Sequence, residues 1–493
     1  MKMKQIYKYI SIALLGFSTI SCNDFLTVLP EDQYSVEGMY KSQKDFEQAI
    51  NGVYAEVQEL YKSNANWLRL VIMRSDDARR GGERSNEHYC RFTDDASNAQ
   101  TLTWMWEHYY KIVSRCNFIF DKIEGGEFSD SFMKDYIKGE THMLRAYAYY
   151  QLATQYGGVP LYDKLYSVAE IRTIKRASLE ETFAFAIKDY EDAIELLPEE
   201  WSGTSLGRVT KYAAHGMLAR LYMFKNELSK AKPHLEAVIN SGKYMMEAEY
   251  SACFNDANDN GGERVWEAQF NGGQLGQGNQ FITGLLPGDY TGDLMPFGGY
   301  STCFDVSKDM VNAYEKGDLR KDLSIQTNIM DKGVVDTVSW YITKYCYHTY
   351  TPKEKNDWAN NLPILRYTDV KMMYAEVLNA EKYEPAGTAF DILNDVRKRA
   401  GLPALTFKEL PDQESFKQAI IKERRVEFAF EGLRWFDLLR WGIAKDVMNK
   451  FLMSEDEGGG RYQMKDHQTI FAIPFNEMTR YNDESVMWQN PGY

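Results

Sequence analysis

The segment "KERRVEFAFEGLRWFDLLRWG", residues 422–442, mixes arginines and carboxylates with large apolar and aromatic residues. It contains no proline and no run of β-branched residues, so its pattern predicts a helix. At helical spacing one stripe roughly 100° wide would carry two arginines and two carboxylates, namely Arg424, Glu427, Glu431 and Arg434. Because apolar residues cover the remaining faces, we expect this helix to be buried.

The two glutamates of this stripe allow two interpretations. Glu427 and Glu431 lie one helical turn apart, and a pair of carboxylates can hydrolyse a glycosidic bond. Such a pair needs surroundings that separate the two pKa values, whereas here both glutamates have arginine neighbours that favour the charged form. The sequence therefore favours an internal ion-pair network that holds the fold together, and a helical glycoside hydrolase is the less favoured alternative.

Composition and charge narrow the classes of partner. The chain has 493 residues, enough for a large core and more than one lobe. Its net charge of −14 and its pI of about 5.2 leave no basic excess to neutralise phosphates, so nucleic acid is not an expected partner. Aromatic residues make up 14% of the chain, which suggests a surface for a flat and partly apolar ligand.

The N-terminus has the features of an export signal. Lysines precede the apolar segment 10–20, which is too short to span a bilayer stably, so residues 1–21 are predicted to be a signal peptide. Cys22 follows directly and is the predicted lipid-acceptor cysteine of a bacterial lipoprotein. Thr19 stands where such signals usually have leucine, and the alternative is an ordinary secretory signal with an incidental cysteine.

The remaining cysteines do not indicate a disulfide framework. They are odd in number, widely spaced and without a CxxC motif, which argues against both disulfides and a zinc site. We expect most of them to be buried thiols that behave as small apolar residues: Cys90, Cys116, Cys253, Cys303 and Cys346.

Helical periodicity dominates the chain outside two regions, namely residues 74–103, which are polar and loop-like, and a central region. Small residues recur where paired helices must approach closely, and the arrangement resembles tetratricopeptide pairs of about 34 residues, with an irregular period. Ser178 and Glu181 form a predicted capping box at the start of one helix. The predicted helical segments are 45–61, 143–163, 178–200, 210–242 (a pair that turns near Asn226), 367–381 and 389–403.

The central region breaks this pattern. Residues 252–362 are rich in Gly, Asn, Asp, Tyr and Trp, and only 264–270 and 336–345 alternate as strands do. The predicted fold is therefore mainly α, a tetratricopeptide-like helix-pair scaffold with a loop-rich lobe that contains a few short strands. After the signal peptide we expect one unit, residues 22–493, with a helical part (22–250), the lobe (251–362) and a C-terminal helical part (363–493).

Several stretches together resemble the SusD/RagB family of outer-membrane lipoproteins. They occur in the family's order along nearly the whole mature chain: "CNDFLTVLPEDQYS", "RAYAYYQLATQYGGVPL", "PILRYTDVKMMYAEVLNAE", "NDVRKRAGLP", the opening segment, "IFAIPFNEM" and "QNPGY". The resemblance implies a lipid-anchored, cell-surface protein of the outer membrane that captures an oligosaccharide and delivers it to a SusC-like TonB-dependent transporter. It implies no enzyme activity and no cofactor. Peptide capture, as in the RagB branch, and a purely structural lid without ligand affinity are the alternatives.

Two kinds of side chain are candidates for ligand binding. The loop 74–92 combines carboxylates and guanidinium groups that can form paired hydrogen bonds with sugar hydroxyls, although its charges could equally tie the loop to itself. Aromatic rings on the Gly-rich run 271–300 and on 345–361 can stack on sugar faces, although single rings more often pack within loops. The candidates are Asp76, Asp77, Arg79, Arg80, Tyr290, Tyr300, Tyr347 and Trp358.

One stretch matches the spacing of a calcium-binding loop. Residues 256–267 place Asp, Asn and Glu at the ligand positions of such a loop. However, Glu263 replaces the usual apolar residue, Arg264 adds positive charge, and a strand-like run follows instead of a helix. We therefore expect a Gly/Asn turn before a strand, and no metal site.

Overall fold

The computed structural model describes residues 40–62, 67–80, 87–97, 100–290, 292–300, 304–331, 333–455 and 460–493. The predicted signal peptide, Cys22 and Cys303 lie outside the described residues. Helices form most of the regular structure and the strands are short, so the mainly α prediction is confirmed. The four described cysteines, Cys90, Cys116, Cys253 and Cys346, are buried thiols, as expected.

The helices of the described chain are, in order, α1 (Gln43–Lys62), α2 (Trp67–Met73), α3 (Glu87–Cys90), α4 (Gln100–Lys122), α5 (Ser131–Tyr156), α6 (Val168–Ile171), α7 (Leu179–Leu196), α8 (Lys211–Phe224), α9 (Leu228–Asn240), α10 (Lys308–Ala313), α11 (Arg320–Ser324), α12 (Tyr367–Glu381), α13 (Thr388–Arg399), α14 (Gln413–Glu427), α15 (Arg434–Arg440), α16 (Ala444–Glu455) and α17 (Phe475–Tyr481).

The strands form two-stranded antiparallel sheets, in the order β1 with β3, β2 with β8, β4 with β7 and β5 with β6. Their bounds are β1 (Ala78–Arg80), β2 (Arg264–Ala268), β3 (Phe304–Val306), β4 (Ile325–Gln326), β5 (Ile329–Asp331), β6 (Val334–Asp336), β7 (Tyr341–Ile342) and β8 (Leu362–Arg366). The strand predicted at 264–270 is confirmed, whereas the run 336–345 contains only the short β7 and the end of β6.

The helix pairs of the scaffold follow the sequence signals closely. Ser178 caps α7 and forms the predicted capping box with Glu181. α8 and α9 pack together around a turn in which Asn226 has a φ of 58°, a left-handed conformation that asparagine tolerates. α5 packs against α4 and α7, and its C-terminal half is buried on all sides because neighbouring helices surround it.

The β2–β8 pair joins the lobe to the helical scaffold. Trp266 of β2 is buried, and its ring meets that of Tyr147 on α5 edge to face at 4.9 Å between centroids. β8 leads directly into α12. The residues between β2 and β8 therefore form a long excursion whose two ends are fixed on the scaffold, which positions the lobe loops.

The segment 422–442 does not form the single helix that its periodicity predicts. α14 ends at Glu427 and α15 begins at Arg434. Between them Phe430 has a φ of 65° and Gly432 a φ of 77°, which no α-helix accommodates. The expectation of one continuous stripe of charged residues was therefore wrong, although the segment is buried as predicted.

Tyr250 and two residues of the lobe stabilise this break in the helix with hydrogen bonds. The carbonyl oxygen of Glu427 accepts a hydrogen bond from the Tyr250 hydroxyl at 2.6 Å. Lys344 Nζ donates to the carbonyl of Ala429 at 2.9 Å, and the hydroxyl of the adjacent tyrosine donates to that of Phe430 at 3.0 Å. Carbonyls left without partners at the end of α14 are thereby satisfied from outside the helix.

Candidate functional site

The charged side chains of the 422–442 segment belong to a buried ion-pair network. Arg366, at the end of β8, is almost completely buried and donates to Glu263, to Glu427 at 3.0 Å and to Glu431 at 2.8 Å. Arg399 of α13 pairs with both Glu263 and Glu427 at 2.6 Å. The prediction of an internal network is confirmed, and its partners come from the residue before β2, from β8, from α13 and from the lobe.

This network is unsuited to acid–base chemistry at Glu427 and Glu431. Burial alone would raise the pKa of Glu427, but the nearby Arg399, Arg366 and Arg320 together hold that pKa at about 2. Glu431 is shared between Arg366 and Lys344. A glycosidase needs its two carboxyl groups open to substrate, whereas Glu427 and Glu431 are both buried and paired with cations.

The loop carboxylates Asp76 and Asp77 are interior groups, contrary to the expectation that they face a ligand. Asp76 accepts from Arg434 at 2.8 and 2.9 Å, and Arg425 pairs with both aspartates at 3.1 Å. Burial raises the pKa of Asp77 to about 6, and the neighbouring Asp76 charge adds to this effect. These carboxylates fix the loop to α14 and to the start of α15, so their ion pairs join the loop to other elements and do not tie it to itself.

Arg79 remains on the surface. It lies in β1 opposite Asp305 of β3, and the two side chains approach to 3.9 Å while both stay partly exposed. Arg80 is the last residue of β1, and its side chain lies outside the described part of the structure.

The two loops that carry the candidate aromatic residues pack against each other. The amide of Asn279 donates to the carbonyl of Trp358 at 2.9 Å. Tyr300 is 41% exposed; its hydroxyl accepts from Asn356 at 3.1 Å, and Lys355 Nζ lies 4.7 Å from its ring centroid. Tyr290, on the same loop, is partly exposed. These contacts leave the Tyr300 ring open to solvent on one side.

The other two aromatic candidates are not equivalent to Tyr300. Trp358 is 1% exposed, and its indole N–H donates to a main-chain carbonyl, so the expectation that it offers an open ring was wrong. Tyr347 is partly buried and accepts a hydrogen bond from Gln326 at 3.3 Å. Within the described residues, no hydrogen bond or ring contact joins Tyr347 to Tyr290 or Tyr300.

Trp340 is a surface aromatic residue that the sequence reasoning did not select. Its ring is partly exposed, and Lys321 Nζ lies 5.1 Å from the ring centroid. Asp336 shapes the turn before it by accepting from the amides of Ser339 and Val338, bonds that lower the pKa of this carboxyl to about 2. The Trp in "DTVSWYITKY" was the available signal, but its strand-like setting concealed it.

Main-chain pairing brings several of these residues onto adjoining elements. β1 pairs with β3, and the amide of Val306 in β3 donates to the carbonyl of Trp340 at 3.0 Å. The 283–300 loop ends just before β3, and Asp289 within it accepts from Gly333 at the tip of the β5–β6 hairpin. We call this surface the lobe face and define it by Arg79, Tyr290, Tyr300, Asp305 and Trp340.

The stretch with calcium-loop spacing has other partners. Asp256 accepts from the amide of Tyr350 at 2.6 Å. Glu267 forms an ion pair with Arg264 and accepts from the amide of Asn260. The Arg264 guanidinium group pairs with the carboxylates of Asp259 and Glu267, so contacts within the protein hold this turn.

A cluster of one histidine and two aspartates is also paired with cations of the protein. Among the described residues, His142, Asp189 and Asp192 are close enough to bind a metal ion. However, Arg145 donates to both oxygens of Asp189 at 2.7 and 2.8 Å, and Lys188 pairs with Asp192. These cations make the group an ion-pair cluster rather than a metal centre.

Comparison with protein families agrees with this fold. A family model described as "Starch-binding associating with outer membrane" matches residues 24–223, and the SusD family model matches residues 322–493. The chain belongs to the SusD/RagB family. A SusD-like protein of Formosa agariphila is 25% identical over 91% of this chain and 92% of its own length.

Solved structures of SusD-like proteins share the architecture. Surface glycan-binding protein A from Bacteroides fluxus superposes with a TM-score of 0.79 at 24% identity, over 92% of this chain and 100% of its own. A laminarin-binding SusD-like protein gives 0.76 at 22% identity, again over 92% and 100%. At these identities the likeness establishes the fold. Across the described residues, no helix has both the length and the apolar character needed to cross a membrane.

Proposed function

We propose that the chain is a cell-surface glycan-binding lipoprotein that captures an oligosaccharide on its lobe face and passes it to a SusC-like TonB-dependent transporter. Cys22 would carry the lipid that anchors it to the outer membrane. The observation that carries the binding role is the lobe face itself, where partly exposed Tyr300 and Trp340 rings lie on loops fixed to a rigid scaffold. Rings of this kind can stack on the apolar faces of sugars.

Polar groups on the same face complete the chemistry that a sugar requires. Arg79 carries donor groups and Asp305 acceptor groups, and both side chains stay partly exposed where they approach each other to 3.9 Å. Guanidinium and carboxylate groups of this kind can form hydrogen bonds with neighbouring sugar hydroxyls. SusD-like relatives that bind laminarin or other glycans support the same ligand class.

The ligand class is tested with the chain lacking residues 1–22. Native gels cast with laminarin, starch, xylan, mannan and galactan would be compared with a gel without polysaccharide, and the same mixtures assayed for reducing sugar. We expect retardation by at least one polysaccharide without release of sugar. Release would contradict the non-enzymatic role. Absence of retardation, together with calorimetric binding of mixed peptides, would favour peptide capture.

The anchor is tested in cells. The Cys22→Ser chain should fail to incorporate radiolabelled palmitate and should leave the membrane fraction, whereas Cys90→Ser, at a buried thiol, should still be labelled. Protease added to intact cells should digest the wild-type protein if it lies on the outer face. Protection from protease until the cells are lysed would contradict surface exposure.

A further inference from the structure

A cleft lies between the start of α4 and the start of α17, and none of its described lining residues belongs to the lobe face. Its volume is about 640 Å³, within the range of about 300–1,000 Å³ that is usual for small-molecule sites. The side chains that line it include Gln100, Thr103, Trp104, Glu107, Phe475 and Asn476.

Two aromatic rings in this cleft are accessible and held in position. Phe475 is 60% exposed, and its amide donates to the carbonyl of Ala96 at 3.3 Å, which ties α17 to the opposite wall. The partly exposed Trp104 ring lies 4.1 Å from the His108 ring, measured between centroids. His108 is in turn hydrogen-bonded to Glu56 at 2.8 Å. A ring fixed from behind loses little conformational freedom when a ligand stacks on its open face.

The polar groups of the cleft are available for hydrogen bonds. Within the described structure, the amides of Gln100 and Asn476 and the indole N–H of Trp104 have no protein partner. Glu107 has an exposed partner, Arg480, at 3.4 Å. Together these groups provide both donors and acceptors beside apolar rings.

The charge of the cleft selects among ligand classes. None of the described residues that line it is a cation, and Glu107 is its acidic group. Arg480 pairs with Glu107 from outside the lining, so a phosphorylated or sulfated ligand would find no further cation among the described lining residues. A neutral saccharide fits, because its hydroxyls pair with the amides and the carboxylate while its apolar face covers the rings.

We propose that this cleft is a second saccharide subsite, specific for neutral sugar units and separate from the lobe face. The inference rests on the proposed glycan-binding function and adds a second point of attachment to it. A polysaccharide long enough to reach both sites is held by avidity, since the second contact forms at a high effective concentration.

The test compares single variants in native gels that contain increasing amounts of laminarin, starch, xylan, mannan or galactan. Phe475→Ala and Asn476→Ala change exposed side chains of the cleft. Phe407→Ala is the matched control, because Phe407 is also exposed, at 56%, and lies outside both sites. We expect Phe475→Ala to weaken retardation by about two- to tenfold, the equivalent of one lost ring contact, and Asn476→Ala to weaken it less.

The outcomes separate the two proposals. Weaker retardation of Phe475→Ala with an unchanged Phe407→Ala supports the subsite. If wild-type protein is retarded but Phe475→Ala and Asn476→Ala match it on every polysaccharide, the subsite is refuted and the lobe-face proposal stands. If no polysaccharide retards the wild-type protein, both proposals fail.

Discussion

Replacement of Arg366 by methionine tests whether the buried network, rather than the apolar packing alone, holds the C-terminal segment in place. The guanidinium group of Arg366 pairs with the carboxylates of Glu263, Glu427 and Glu431. Methionine fills a similar volume, so the main effect is the loss of positive charge between three buried carboxylates.

The expected loss of stability depends on the cations that remain beside these carboxylates in Arg366→Met. Arg399 still pairs with Glu263 and Glu427, and Lys344 still pairs with Glu431, so no carboxylate loses every cation. Removal of one partner from a buried ion pair typically costs 3–5 kcal/mol, and the remaining cations place Arg366→Met at the lower end, about 3 kcal/mol. Adding Glu263→Gln restores the charge balance and should recover at least about 1 kcal/mol.

Urea unfolding followed by tryptophan fluorescence measures both variants. Arg480→Met is the control, because Arg480 is 59% exposed and its ion pairs should contribute less than about 1 kcal/mol. A loss below about 1 kcal/mol for Arg366→Met, or no recovery in the double variant, would refute the structural role of the network.

Two further predictions concern the same segment. Gly432→Ala should lower the free energy of unfolding by about 2–3 kcal/mol, because an added Cβ would approach α2 side chains to 2.9 Å at a φ of +77°. Gly442→Ala, with a φ of +71° and open space around it, should lower it by only about 1 kcal/mol. Equal losses for the two variants in urea unfolding would contradict the close packing at Gly432. Acid should also destabilise the fold, because arginine neighbours lower the pKa values of Asp369 and Glu427 to about 2 from ordinary values of 3.8 and 4.5. Each carboxylate contributes about 2–3 kcal/mol of stability at pH values above its ordinary pKa, and this contribution is lost as the pH falls toward 2. Asp369→Asn should therefore flatten the dependence of the unfolding free energy on pH between about 2 and 5. An unchanged slope would contradict this role of Asp369.

Local signals predicted the helical scaffold well. The helix start capped by Ser178 and the turn at Asn226 lie where the sequence places them, whereas the helices predicted to reach residues 163 and 403 end at Tyr156 and Arg399. The break at 428–433 was missed because its cause is not local. Its carbonyls are satisfied by Tyr250, Lys344 and Tyr345, which are at least 85 residues away from these carbonyls in the chain, and only the folded protein brings these donors there.

The candidate site was predictable as a region but not as a set of residues. The aromatic loops do pack together, and Tyr300 is exposed, but Trp358 fills the space beneath them. Asp76 was misassigned because its partner Arg434 lies 358 residues further along the chain. Trp340 was missed because neither composition nor spacing distinguishes a partly exposed ring from one that packs within a loop.

Calorimetric titration of a polysaccharide into matched variants tests most directly whether the lobe face binds a glycan. Laminarin, starch, xylan, mannan and galactan would each be titrated into wild-type protein, Trp340→Ala and the exposed-ring control Phe407→Ala. We predict that at least one polysaccharide binds the wild type and the control equally, and binds Trp340→Ala about tenfold more weakly, the equivalent of about 1.4 kcal/mol for a central ring. Equal affinity of Trp340→Ala and the wild type for every bound polysaccharide, or no binding at all, would contradict it.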